Sequence, residues 1–580
     1  MTDTTESSGA TFSIREIPFS YHGSWFDISP VIAEHRYAED LHLVSHQTGM
    51  HPVLRFVPTR GDARVETTIV ASADQLGWVH DAGRVALAYE RPDTVRLRGE
   101  GLGMRIIAAD PTLTPFSGPY LYRDPVDGAY VFTLYETGRR YRITVLAGGP
   151  ADALGTQVLG TAERGLVLPS DGPAWELAIE EYETARTPYT ASAAFPHVVA
   201  AAQASFARFL DALAPWRGDD TPAAALAGYV LWSATVRPAG FVTRRAVLMS
   251  KHWMDKVWSW DHCFNALALA DGAPDLAWDQ FKLVFDHQDD AGALPDSVTH
   301  SEVLYNFVKP PIHGWALRQL RQRLAPALDR DQLTEVYRQL ERWTEFWRDA
   351  RSVPGQELSH YQHGNDSGWD NATTFAHDRV VETADLAAFL VLQMRELAEL
   401  ATALGDQVAA SRWSRAAQQT LSAMLAQLWT GDRFVARAAG STRTWSSASL
   451  LDLMPIVLGA ELPHEVRSAL AERIRAHLTP YGLASELPSS PHYQADGYWR
   501  GPIWAPATLL IEDGLRRAGA TELADEISAR FRRLCERSGF AENFDALTGT
   551  GLRDRAYTWT ASAYLILAAN HARKRARSPI

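Results

Sequence analysis

Five acids of the chain stand in stretches that a purely structural loop does not need. Asp261 lies in WMDKVWSWDHCF (253–264), Asp366 and Asp370 in HGNDSGWDNATTF (363–375), and Glu542 and Asp545 in ENFDALTGTG (542–551). Two further stretches, FVKPPIHGW (307–315) and YWRGPIW (498–504), share the mixture of aromatic, basic and turn residues. A connection between helices requires no Trp or Arg. A polyhydroxylated ligand uses both: an indole ring matches the C–H face of a pyranose, while its N–H and the guanidinium donate to hydroxyls. Carboxylates can grip paired hydroxyls, and two of them can also cut the bond they flank. Hydrolysis of a glycoside needs one carboxyl that holds a proton for the leaving oxygen and one that activates a water or attacks directly.

Each acid also has a plainer reading. Asp370 can cap or turn the loop before the helical pattern that follows Arg379. Glu542 alone reads as a solvated acid between two helices, with Asp545 as a rival base. Asp366 either binds substrate or hydrogen-bonds its loop so that Asp370 is aimed, and Asp261 can cap the helix beginning at His262. Arg500 is either a plain salt-bridge residue or a clamp. Trp278, Trp315, Trp343 and Trp347 fall on helical patterns and read as core. His360 and His363 have i, i+3 spacing but no acid or thiol completes a zinc set. The acidic run Asp286 to Asp296 lacks an EF-hand pattern, and no phosphate loop, serine elbow or CxxC pair occurs. No metal and no cofactor are expected.

Two kinds of element must position these residues. Up to about residue 190 the pattern is short and alternating: 130–135 and 141–146 flank the turn 136–140 as a hairpin, and runs at 53–57, 64–71 and 84–89 repeat the signal. An antiparallel β-sandwich is predicted there. From about Pro196 the period becomes helical, opening with 198–213 and 221–236. Leu386, Phe389, Leu390, Leu397 and Leu400 follow i, i+3, i+4 spacing. Some segments are amphipathic (331–348), whereas 446–459 and 559–569 are apolar nearly all round and must be covered on every side. Half-exposed and fully buried helices in alternation fit two concentric layers, an (α/α) toroid. The predicted domains are a β-sandwich over 1–190, a helical linker over 191–220 and a helical domain over 221–580.

Composition restricts the partners. A chain of 580 residues with 46% hydrophobic and 22% charged residues is a soluble multidomain protein by its proportions. Its net charge of −13 argues against nucleic acid or an anionic membrane, and the basic run Arg573 to Arg577 reads as a solvated helix end. Cys263 and Cys535 cannot form a disulfide framework and read as buried thiols. No run of about 18 apolar residues could span a bilayer. The start MTDTTESSGATFS has neither a basic nor an apolar signal region, so a cytoplasmic location is expected. Nineteen tryptophans is well above ordinary usage and fits a sugar cleft. The expected partner is therefore a small carbohydrate; oligomeric state is not readable.

In order along residues 220 to 575, WSWDHCF, KPPIHGWAL, DSGWDNATTF, YWRGPIW and ENFDALTGTG resemble the catalytic domain of glycoside hydrolase family 63 and its trehalase relatives in family 37. The resemblance implies an (α/α)6 barrel and an inverting hydrolase of α-linked glucosides or related glycosides. Carried over residue by residue, it makes Asp370 the general acid and Glu542 the general base, with Asp261 holding substrate hydroxyls. Trp258, Trp260, Trp369, Tyr498, Trp499 and Trp504 become pocket walls, Arg500 a hydroxyl or carboxylate clamp, and Lys309, His313 and Asp366 substrate contacts. The chain departs from the family at Asp366, where Glu is commoner, at Lys309, where Gln is commoner, and at Asn371-Ala372-Thr373 in place of Asn-Ser-Pro. These departures bear on the substrate and leave the acid–base pair intact.

An inverting pair stands about 6.5–9.5 Å apart, leaving room for water. Asp370 must then carry a proton, its pKa raised by the Trp-lined pocket and by Asp366 and Asp261, while Glu542 is ionised. Kojibiose-, nigerose- or trehalose-type disaccharides, glucosylglycerate and mannosylglycerate all fit an exo-acting pocket. Two other classes compete: a different toroid enzyme such as an epimerase or lyase, which would need His or Tyr bases in the cleft, and a sugar-binding protein that keeps the aromatic walls without catalysis.

Overall fold

The computed structural model describes residues 11–148, 152–156, 158–324 and 328–577. The reading of the chain's start therefore falls mostly on residues outside the described ones. Two compact units result. One comprises Met1–Pro215, Gly228–Asp255 and Thr299–Glu302, the other Trp216–Ala227, Lys256–Val298 and Val303–Ile580.

The first unit is built on two antiparallel sheets, nine-stranded and seven-stranded among the described residues. The predicted hairpin forms as strands Tyr130–Leu134 and Arg140–Ala147, registered Tyr130 to Ile143. Alternation sends one face of each strand inward. Ile28, Leu43, Phe56 and Ile106 of the smaller sheet meet Trp78, Leu87, Leu97, Ile143 and Leu177 of the larger in one buried core, the packing of a sandwich. Helix α1 (Phe195–Leu213) covers the larger sheet, Phe195 and Val198 packing with Ala86 and Ala88. Helix α2 (Ala224–Ala234) follows.

The second unit is helical: α3 (Asp261–Leu269), α4 (Pro274–Leu283), α5 (His313–Leu324), α6 (Arg330–Asp349), α7 (Ala384–Leu404), α8 (Gln407–Leu428), α9 (His464–His477), α10 (Ala505–Arg517), α11 (Thr521–Ser538) and α12 (Thr558–Arg577). The two expected classes of helix are present. In α6 burial is confined to one stripe through Val336, Leu340, Trp343 and Trp347, whereas α7 and α10 are buried almost throughout. Helix α6 opens on a capping box between Asp329 and Gln332. The apolar stretch predicted as a helix over 446–459 is a 3₁₀ segment, Leu450–Glu461, broken at Gly459. Pro455 inside it lacks the N–H that an α-helical turn uses, which favours the departure. Neighbours pack in succession: α3 on α5, α5 on α7, α7 on the 3₁₀ segment, that segment on α10, α10 on α12, and α12 on α3. Cys263 and Cys535 are buried free thiols. Among the described residues no helix is long and apolar enough to cross a membrane.

Candidate active site

The motif loops of the second unit are tied to one another by specific bonds. His313, at the start of α5, donates from Nε2 to the Ser259 carbonyl at 3.0 Å, and the Ser259 N–H donates to the Asp296 carbonyl. The DSGWD loop is fixed next. Asp366 Oδ1 accepts from the Val308 N–H, while its Oδ2 accepts from the Gln362 N–H at 2.8 Å and from Arg351 at 2.9 Å. Two backbone donors and an ion pair occupy this buried carboxylate, so it organises the loop four residues before Asp370.

Gly368 makes the turn that aims Asp370. Its φ is +72°, and a Cβ there would meet the Trp260 ring at 2.5 Å. Only glycine gives both the left-handed backbone and the close approach. Asn371 then staples this loop to YWRGPIW. Its Nδ2 donates to the Gly497 carbonyl, its Oδ1 accepts from the Trp499 N–H at 2.9 Å, and its carbonyl accepts from Arg500 Nε at 2.7 Å. Ile503 exchanges both backbone bonds with Phe544, joining YWRGPIW to ENFDALTGTG. There, Asn543–Phe544 pairs with Gly551–Leu552. Thr548 to Gly551 is thus the turn and return of a hairpin that fixes Glu542. Asp545 is used by that turn, its Oδ1 accepting from Leu547 and Thr548, so the rival base serves as an Asx cap.

Aromatic rings form a continuous buried stack. Trp369 packs on Trp499 at 4.4 Å between centroids, and Trp499 stacks on Trp504 at 4.0 Å and 5°. Trp504 meets Trp559 edge-on at 5.6 Å, and Trp559 meets Trp260 at 5.9 Å. Trp559 also donates to the Glu542 carbonyl at 3.3 Å. Trp258 is half-buried, with Lys256 6.0 Å above its ring. Tyr498 has φ +62° and Arg553 has φ +59°, both left-handed backbones that cost energy outside glycine. The two face each other, the Arg553 guanidinium 5.0 Å over the Tyr498 ring.

The carboxyl groups share one low-dielectric region. Burial pushes Asp261 up to about 8, with Lys309 opposing and Asp296 and Asp370 adding to the rise. Burial likewise pushes Glu542 up to about 8, reinforced by Asp554 and opposed by Arg553, with Asp370 and Asp261 contributing. Burial raises Asp370, Lys309 opposing and Asp296 adding. Glu542 is 2% exposed, and its Oε2 has no hydrogen-bond partner among the described residues. The acids therefore titrate as a coupled set. Lys309 is buried among them, Nζ 3.1 Å from Asp296 Oδ1 and 3.1 Å from the Asn365 carbonyl. Burial disfavours its charge, but Asp370, Asp296 and Asp261 overcome that and hold the ammonium above its ordinary value.

Several expectations need correction. Of the two carboxylates expected to raise Asp370, Asp366 is paired with Arg351, while Asp261 and Asp370 do repel each other; Asp296 is the further negative neighbour that adds to the rise. Glu542 favours its protonated form at neutral pH, where the sequence predicted an ionised base. His313 is fully buried against Phe285 and Trp343, its pKa lowered to about 4 by burial. It supports the loop through its bond to the Ser259 carbonyl. Of the four tryptophans expected in the core, Trp315, Trp343 and Trp347 are buried, whereas Trp278 is only half-buried.

The sequence motifs gave no site role to Asp296, Arg351, Asn371, Arg553, Asp554, Tyr557 or Trp559. Asp554 accepts at its carbonyl from the Glu542 N–H. Burial, Glu542 and Asp261 raise the Tyr557 phenol well above its ordinary value. Among the described residues no group of three or more His, Cys, Asp or Glu is placed to hold a metal ion.

Known proteins resemble this chain over the helical unit, and one over nearly its whole length. The family model described as a mannosylglycerate hydrolase MGH1-like glycoside hydrolase domain matches residues 254–560. Mannosylglycerate hydrolase of Rubrobacter radiotolerans is 24% identical over 402 residues, 53% of this chain and 89% of that protein. The family 63 mannosylglycerate hydrolase of Thermus thermophilus, solved with glucose, superposes with a TM-score of 0.52 at 21% identity, over 59% of this chain and 98% of that one. A bacterial glucoamylase solved with acarbose superposes over 98% of this chain and 96% of that one, with a TM-score of 0.59 at 11% identity. At these identities the two superpositions speak for the fold alone.

Proposed function

The chain belongs to the mannosylglycerate hydrolase MGH1-like glycoside hydrolase family, and from that premise we propose an inverting, exo-acting hydrolase of a small α-glycoside. Asp370 is the general acid and Glu542 the general base. The observation that carries this reading is the pairing itself: both residues belong to loops bound to the Trp369–Trp499–Trp504 stack, both have raised proton affinity, and the Asp370 charge acts on Glu542. The closed succession of helices from α3 through α12 and back to α3 supports an (α/α)6 barrel around them.

The reaction follows from the positions. Asp370 gives its proton to the glycosidic oxygen as the bond to the anomeric carbon breaks. A water held by Glu542 attacks that carbon from the opposite face and yields its proton to the carboxylate. Buried Glu542 binds its own proton tightly until pH approaches about 8. The rising limb of the pH–rate profile should therefore lie well above the ordinary Glu value of about 4.3.

The favoured substrate class is a glycoside with an anionic aglycone, mannosylglycerate or glucosylglycerate, ahead of a neutral α-glucoside. Arg500 supports this. Only its Nε is used, on the Asn371 carbonyl; its two terminal nitrogens have no partner among the described residues and are free to fork onto a carboxylate. A panel of both glycerate glycosides, trehalose and other α-glucosides tests the reading. Asp370→Asn and Glu542→Gln should each lower kcat by about 10²–10⁴-fold with the fold retained. Wild-type turnover in either variant, or no sugar released from any substrate, would overturn it.

A further inference from the structure

Helices α10, α11 and α12 line a half-open cavity of about 580 Å³, remote from the catalytic loops. Trp504 and Tyr557 immediately precede α10 and α12, whereas the cavity lies toward the other ends of these helices. Between Thr558 and Asn570, α12 climbs about 18 Å at its usual rise of about 1.5 Å per residue.

The charged lining is uneven: Arg516, Arg532, Arg573 and Lys574 face a single acid, Asp525, with the His571 imidazole beside them. Three of the cations are satisfied. Arg516 pairs with Glu512 and, at 2.9 Å, with Asp525; Lys574 also pairs with Asp525; Arg573 pairs with Asp271. Arg532 is different. It is 9% exposed, its Nε is buried without a hydrogen-bond partner, and it makes no hydrogen bond or ion pair among the described residues. Glu536 and Asp220 act on it only through space. A buried guanidinium without a paired anion is costly, and an anion delivered to it recovers much of that cost.

We infer that this cavity binds a small oxyanion-bearing molecule, a carboxylate or a phosphate ester, with the anionic group on Arg532. The planar fork of the guanidinium suits bidentate contact with either group. Ser528 and Asn570 line the cavity and offer neutral partners for the remainder of the molecule. The volume falls within the range of about 300–1,000 Å³ typical of small-molecule sites, so the occupant is an organic anion rather than a bare ion. Asp525 opposes binding, because it shares the cavity and holds two of the cations.

Isothermal titration calorimetry on the full chain at low ionic strength tests this, using inorganic phosphate in one arm and acetate in the other. Saturable one-to-one binding of at least one anion is expected, and the tighter arm identifies the preferred group. Arg532→Gln should weaken it at least tenfold, Arg532→Lys less, and Asp525→Asn should tighten it severalfold. No saturable binding of either anion, or equal affinity in Arg532→Gln, would overturn the inference. If Arg532→Gln loses its native circular dichroism, Asp525→Asn decides: unchanged or weaker binding refutes the site. The readout is binding alone and does not depend on the hydrolase reading.

Discussion

Lys309 pairs with Asp296 at 3.1 Å inside the candidate site, and the same ammonium acts on Asp370 and Asp261. Burial raises both acids while Lys309 restrains the rise. Lys309→Gln removes that restraint and leaves Asp296 buried without its cation. The pKa of the general acid should climb, moving the falling limb of the kcat/KM profile to higher pH. Stability should drop by about 3–5 kcal/mol, the usual cost of breaking a buried pair from one side. Lys309→Gln with Asp296→Asn should recover part of the stability and bring the limb part of the way back, because Asp296 is the charge that adds to the rise of Asp370. An unmoved limb would show that Lys309 does not act on the acid.

Gly368→Ala should reduce kcat by about 10²-fold or more while leaving the protein folded. A side chain there strains the left-handed backbone and collides with Trp260, displacing the turn that aims Asp370. Wild-type kcat with an unchanged circular dichroism spectrum would show that the turn tolerates the methyl group.

Proton affinity also sets how stability varies with pH. Burial raises Asp261, Glu396 and Glu542 to about 8 and Asp385 to about 7 in the folded state. Unfolded acids titrate near about 4. Between these values the folded state binds more protons, so these four groups stabilise fully below about pH 4 and lose that contribution as pH rises to about 8. Melting temperature should fall from about pH 6.5 to about pH 8; below that range the buried His22, His42, His313 and His477, lowered to about 4, act in the opposite sense. Glu542→Gln should flatten part of that slope and be the more stable protein at the alkaline end. Parallel slopes for the two proteins would contradict the raised proton affinity of Glu542.

Arg500→Gln should raise KM about tenfold for a glycerate glycoside and leave KM for an uncharged α-glucoside unchanged. Equal increases for both substrates would mean that Arg500 acts only through its bond to Asn371.

Local periodicity made much of this protein legible in its sequence. The spacing of Leu386, Phe389, Leu390, Leu397 and Leu400 marks α7, and the turn 136–140 marks its hairpin, because these patterns depend on neighbours along the chain. The motif loops were legible too, since Trp and Arg are out of place in simple connections. What stayed hidden depends on how distant loops close on one another. Asp296 looked like part of an acidic run until Lys309 folded onto it. Asp554 gains meaning only because its carbonyl receives the Glu542 N–H. His313 read as a ligand contact because a histidine between Pro311 and Gly314 carries no sign of its depth. Pro455 was the missed local signal, sufficient to argue against a regular α-helix over 446–459.

Proton NMR of the first-formed sugar tests the assignment of Asp370 and Glu542 most directly. With an α-glycoside that the enzyme turns over, recorded before mutarotation, the β-anomer should appear first, as displacement by a water on Glu542 requires. First appearance of the α-anomer would mean that one of the two carboxylates attacks the sugar itself, and would contradict the inverting pair.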